Sequence, residues 1–355
     1  MRLPIHQQPE LNAMFSAEQT DPMRKLGVAL LLLILHANTR PGQADEFELK
    51  AVAIRPKSRI DAIAHFGSGV VIAGTRMPHP GDIHKSEDYG VSWRRVGNIT
   101  GDDFITCIAS SEDGTGYLLT GNHVHVWKSN DRGESWKDLG QISDASNPVF
   151  ANAYGMVVTE NGTLLVADAD RKGGHVHRST DGGVTWIDLG AVSTHALYRL
   201  IEVGDGILAN GWAGHIYKSS DDGKTWRDMG KLIGSDLYAI ESIGNDTVLI
   251  GTKSGNIFVS HDNGVTWKDR GVVGAAADDF SWLGGRRVLY STYNGNRHLY
   301  FSEDAGETWA SLGRVPTTDP NDWLDHVIYI NDGRMRTVVG GTNNGFIVHA
   351  RLPGE

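Results

Sequence analysis

The chain has a single cysteine, Cys107, in 355 residues, so no disulfide can form within it. Basic residues are also in deficit: 33 Lys and Arg stand against 43 Asp and Glu, for a net charge of -10. Such a balance excludes nucleic acid and anionic lipid as main partners. The apolar run Leu26 to Leu35 is too short to span a bilayer. A chain of this kind has to be held by its core, and its 44 glycines fit a backbone with many hairpins.

The short apolar run has a different meaning. Met23-Arg24-Lys25 supplies a basic start, Leu26 to Leu35 an apolar centre, and Gly42-Gln43-Ala44 small residues for cleavage before Asp45. Residues 1–44 are therefore expected to be an upstream extension plus a secretory signal, and residues 45–355 a single domain. A secreted or periplasmic location is expected, with no membrane insertion once the signal is removed.

One octapeptide organises the rest. Ser-x-Asp-x-Gly-x-(Ser/Thr)-Trp is spelled at Ser86–Trp93, Ser129–Trp136, Ser179–Trp186, Ser219–Trp226, Ser260–Trp267 and Ser302–Trp309. The copies are roughly 40–50 residues apart, the period of four-stranded propeller blades. Each reads as a hairpin turn: Asp bends back onto backbone N–H groups, Gly supplies positive φ, and Trp returns as an apolar wedge. A turn offers one carboxylate, fewer oxygens than a calcium loop needs, so no metal or other cofactor is expected.

The octapeptide resembles the Asp-box, or BNR, repeat family, which includes sialidases, sortilin-like receptors, photosystem assembly propellers and several glycan-cleaving enzymes. The resemblance covers residues 86–309 and implies a propeller fold, with the boxes on the edge away from any active site.

Seven apolar strands at the blade period, from Val70–Ala73 to Thr337–Val339, give one blade more than the boxes do. The last unit stops short of a box, and a spare strand, Phe47 to Ile54, lies at the other end. The expected fold is all-β: a seven-bladed propeller of four-stranded antiparallel blades, closed by the N-terminal strand in the last blade. Strand direction then puts box turns and A-to-B turns on a lower face, and D-to-A and B-to-C loops on an upper one.

Polar loops with scattered aromatics make the upper mouth the place for a ligand. Asp103, Asp236, Asp279 and Asp325 are read as standing just before inner strands, with Arg59 at the corresponding place in the first blade. Asp82, His125, His175, His215, Asn256 and His298 recur four residues before each box, and inter-blade packing is the expected role of this set. His195, Tyr198 and Arg199 bring imidazole, phenol and guanidinium together, although alternation sends Tyr198 and Arg199 to opposite faces. Asp103, His195, Tyr198, Arg199 and Asp236 are the candidate catalytic residues. Arg55, Arg59, His123, His175, Trp212, Asp279, Tyr293, Arg297 and Asp325 are candidates for holding substrate, with Trp212, Tyr293 and Trp323 as stacking platforms.

Resemblance to sialidases implies an Arg-Ile-Pro near the start, two further arginines on the substrate carboxylate, a Tyr nucleophile with Glu, and an Asp acid/base. Here the start reads Ile54-Arg55-Pro56, with the first two inverted; Arg76, Arg199 or Arg297 would supply the other arginines and Tyr290 or Tyr293 the tyrosine. Three readings stay open: a sialidase-like glycosidase, a uronate polysaccharide lyase using His and Tyr as base and acid, and a non-catalytic scaffold similar to photosystem assembly propellers. The first two take a carbohydrate ligand, the third a protein partner.

Overall fold

The computed structural model describes residues 49–352, apart from 77–79, 102, 112, 144–152, 171–172, 294–297, 316, 318 and 320. Seven four-stranded antiparallel sheets form the blades of a propeller. Six run in simple order from inner strand A to outer strand D. In the seventh, Lys50–Ala53 takes the outer place beside Phe346–Arg351, with Lys50 opposite His349 and Ala53 opposite Phe346. The expected closure by the N-terminal strand is thus the one observed. Ile54 and Arg55 both donate their backbone N–H to the Gly345 carbonyl, and Gly345, at φ +87°, passes so close to Arg55 that a Cβ would collide with it.

The inner strands are Ala62–His65, Ile105–Ser110, Gly155–Val158, Leu197–Val203, Leu237–Ser242, Ala276–Trp282 and Leu324–Asn331. Alternation along the strands puts apolar side chains on both sheet faces, and the core lies between neighbouring blades. One cluster, for example, joins Ile72 and Ile83 of the first blade to Ile105, Leu118 and Trp127 of the second.

The box turns behave as their residue types dictate. In the fourth blade, Ser219 Oγ donates to Asp221 Oδ1 and accepts the Gly223 N–H, while Asp221 accepts the N–H and hydroxyl of Thr225. Trp226 Nε1 donates to the Gly223 carbonyl. The indole then fills the seam with the preceding blade: Trp226 packs beside Leu165, Ala167 and Leu200. Trp93, Trp136, Trp186, Trp267 and Trp309 fill five other seams in the same way. The seam between blades six and seven has no box tryptophan, and Leu283, Leu299, Phe301 and Val338 are among the residues that pack it.

Candidate functional site

The inner strands are not regular at their upper ends. In blades two, four, five, six and seven the register with strand B slips at one residue: Thr106, Tyr198, Tyr238, Asp278 and Asp325 respectively. Asp61 and Tyr154 hold the matching places in blades one and three; Ile60 donates its N–H to Thr342 of the previous blade as Ile105 does to Thr75. A bulge adds a residue to one strand and re-aims its side chain. The five bulge residues, with Asp61 and Tyr154 just before the strands of blades one and three, line one cavity of about 270 Å³ together with Arg59, Arg76, Arg199 and Tyr293.

The aromatic part is a continuous arc. Tyr154, Tyr198, Tyr238, Tyr293 and Trp323 meet in sequence around the mouth, edge to face, with centroids 5.7, 5.3, 6.4 and 5.2 Å apart. Arg76 continues it, 5.4 Å from the Tyr154 ring and 4.8 Å from that of Phe104. Burial raises the Tyr198 phenol well above the ordinary range. It stays a neutral hydroxyl, and accepts a hydrogen bond from Trp212 Nε1.

The polar part is a chain of matched charges. Arg76 donates to Asp61 Oδ2 at 2.9 Å and to Tyr154 OH at 3.1 Å. Arg59 sits 2.5 Å from Asp61 Oδ1 and 3.0 Å from Asp325 Oδ1, which also accepts from Trp323 Nε1 at 2.8 Å. Burial works against the charge of Arg59, but Asp325 and Asp61 more than offset it and raise its pKa. Burial pushes Asp325 up to about 7, and lifts Asp278 well above the carboxylate range with the Asp325 charge as the next cause. The two carboxyls are hydrogen-bonded to each other, so this pair retains a shared proton near neutral pH.

Arg199 forms the floor. It lies 3.6 Å from Asp279, whose other oxygen is 2.9 Å from His326 Nδ1 and accepts from the Val327 N–H at 3.0 Å. Burial would raise Asp279, but His326 and Arg199 hold it below the usual carboxylate range.

Of the residues singled out from sequence, Arg59, Tyr198, Arg199, Tyr293 and Asp325 come together in the cavity. Tyr198 and Arg199 both reach it, contrary to strict alternation, because the bulge at Tyr198 turns consecutive side chains to one side. Asp279 lies beneath, and Trp212 supports Tyr198 from the short helical turn Trp212–Gly214. Asp103, Asp236, Asp279 and Asp325 do not share one strand position. Asp103 accepts the N–H groups of Asn122 and His123, with His123 Nδ1 3.5 Å from its carboxylate, while Asp236 accepts from Ala213 and pairs with Lys253 at 3.4 Å.

His195 faces outward and stacks on His215 at 5.9 Å. The recurrent set before the boxes pairs with strand D of its own blade rather than between blades: His125 with Asp138, His175 with Asp188 and His215 with Asp228, at 3.0 to 3.4 Å. Arg55 pairs with Asp82 at the closing seam, away from the axis. Arg297 lies outside the described residues. Sequence reasoning passed over Asp61, Tyr154 and Tyr238 and gave Asp278 no role. The available signal was a polar residue directly after a buried apolar one at the head of each inner strand: Ile60-Asp61, Ile105-Thr106, Ala153-Tyr154, Leu197-Tyr198, Leu237-Tyr238, Ala277-Asp278 and Leu324-Asp325.

With this geometry in place, the comparisons agree on the fold. The BNR/Asp-box repeat family matches residues 258–269. The chain is an Asp-box repeat β-propeller. No curated protein matches it. It is similar to YCF48 bound to D1 peptide, at 13% identity over 86% of this chain and 97% of that one, with TM-score 0.67. It is similar to virginiamycin B lyase from Staphylococcus aureus, at 12% identity over 87% and 100%, with TM-score 0.71. A GH74 enzyme from Niastella koreensis is similar at 16% identity over 83% of this chain and 53% of that one, with TM-score 0.65. At these identities the likeness is one of fold.

Proposed function

We propose that this chain is an exported propeller that binds a carbohydrate in its upper cavity. The observation that carries the reading is the convergence of one residue from the head of each of seven inner strands on a single cavity. Its aromatic arc offers faces and edges for a sugar ring, and its planar guanidinium and carboxyl groups match vicinal hydroxyls. The matched charges favour a neutral or singly anionic sugar over a polyanion. Export rests on the basic and apolar leader of residues 23–44.

Binding without cleavage is what the site chemistry supports. Two glycosidase carboxyls stand about 5–5.5 Å apart in retaining enzymes, and about 6.5–9.5 Å in inverting ones. Asp278 and Asp325 line one cavity and favour a shared proton, so they do not act as the separate acid and nucleophile that cleavage needs. A lyase pairing of His195 with Tyr198 lacks its base, since the imidazole faces away from the cavity.

Titration calorimetry of the full chain with neutral, sialylated and uronate oligosaccharides tests the proposal. Binding to one class is expected, weakened at least tenfold by Tyr238→Ala. A second reading, docking of a peptide by its carboxylate on the cavity arginines, draws on the likeness to the propeller solved with D1 peptide. No glycan binding, together with capture of a carboxyl-terminal peptide that Tyr238→Ala abolishes, would replace the first reading with the second.

A further inference from the structure

The lumen of the ring does not end at the Arg199–Asp279–His326 floor. Below it lies a second compartment of about 430 Å³, with Arg199 shared between the two walls. Its character is different. Inner strands of blades two to seven line it with apolar groups such as Ile201, Phe280 and Ile328, and Trp282, 38% exposed, stands at the lower end.

Two acids line it, Asp279 at the floor beside Arg199 and His326, and Glu241 away from them in sequence. Glu241, on the inner strand of blade five, lines the compartment and takes a single long hydrogen bond, 3.4 Å from the Trp282 N–H to its Oε1. Arg199 is already engaged with Asp279, and His326 Nδ1 lies against that same carboxylate. Cys107 lines the wall as a neutral thiol, raised by burial. Glu241 therefore faces a largely apolar part of the chamber and, among the described residues, has no ion pair of its own, with Arg199 felt only at longer range. Burial, and then the charge of Asp279, push it up to about 8, so it is protonated at neutral pH in the empty protein.

A carboxyl set in an apolar wall selects a ligand with an apolar body and one positive end. A metal ion fits poorly, since among the described residues no group of three or more His, Cys, Asp or Glu is placed to hold one. We infer that the lower compartment is a second binding site, for a small aliphatic primary amine whose ammonium pairs with Glu241. On binding, the charged amine enters and the Glu241 proton leaves to solvent, so each ligand bound releases up to one proton. The affinity rises with pH up to the range in which Glu241 is already ionised.

The test is calorimetry of the full chain with hexylamine, hexanol and hexanoate from pH 6 to 8.5. Hexylamine is expected to bind at least tenfold more tightly than hexanol, with hexanoate excluded. Its affinity should rise by several tens-fold across that range, on the order of 50-fold or more, as protons are released, read from buffers of different ionisation heat. Glu241→Gln should remove both the preference for the amine and the pH dependence. Ile201→Trp, which fills the chamber, should abolish binding in a second background, and Tyr238→Ala in the upper arc should leave it unchanged. Equal binding of hexanol and hexylamine, no binding of either, or a Glu241→Gln variant that keeps the preference would each overturn the assignment. The upper site and its glycan are read separately, so neither result decides the other.

Discussion

Box turns and inner-strand bulges both recur around the ring, on opposite faces. In the boxes the same side chains make the same bonds: Ser to Asp, Asp to the residue four ahead, Trp to Gly. The bulges present Thr106, Tyr198, Tyr238, Asp278 and Asp325, and the matching strand heads of blades one and three present Asp61 and Tyr154. The boxes satisfy themselves, each within its own eight residues. The residues at the strand heads also find partners across blades, as Asp325 of the seventh does with Arg59 of the first. A repeat kept in residues holds the fold; one kept in backbone and varied in residues builds a site that no single blade could form.

The comparison breaks most completely if the ring is opened. Deleting residues 45–55 removes the outer strand of the seventh blade and should cost more than about 4 kcal/mol in denaturant unfolding, with both regions failing together. Arg59→Met acts on the upper side alone. It leaves Asp61 and Asp325 without a shared cation and should cost about 2–3 kcal/mol, reduced from a fully buried pair because the Arg59 side chain is 30% exposed.

The protonated pair gives the upper side a pH signature that the boxes lack. Asp325 is raised in the folded protein to about 7, so its proton is held more tightly there than in the unfolded chain. Stability from this group is full below the unfolded carboxylate pKa and is lost as pH rises through about 7. Asp325→Asn should flatten that slope, worth on the order of 1–2 kcal/mol between pH 4 and pH 7, in urea midpoints measured across the range. The smallest effect belongs to the boxes. Asp221→Ala should cost about 1 kcal/mol, because water can replace exposed hydrogen bonds, and should leave binding at either cavity unchanged. Lost binding at normal stability would mean that the faces are reversed.

The boxes were legible because their spacing carries the blade period and their residue types carry the turn. Ring closure was legible too, since a strand short at one end and spare at the other have few ways to meet. The site was legible only in part. Alternation places Tyr198 and Arg199 on opposite sides, and the bulge that brings them together is a one-residue slip that spacing does not reveal. The same slip hid Tyr238, and Tyr154 stands just before its strand; both look like ordinary strand residues until seven strand heads are aligned. His195 was misleading for the opposite reason: it neighbours the site in sequence, while the chain turns it out onto His215.

Pairing of Lys50 with His349 makes the first strand of the propeller wait for the last. Six blades can form from neighbours as the chain lengthens, but the seventh must bring together segments some 300 residues apart. The entropy of that closure grows only as the logarithm of the loop length. The delay is therefore one of order rather than of cost: until the carboxyl-terminal hairpin arrives, the first blade has no seventh to lean on, and the ring exists only as an open arc. Its lumen, and both compartments with it, come into being in a single last step.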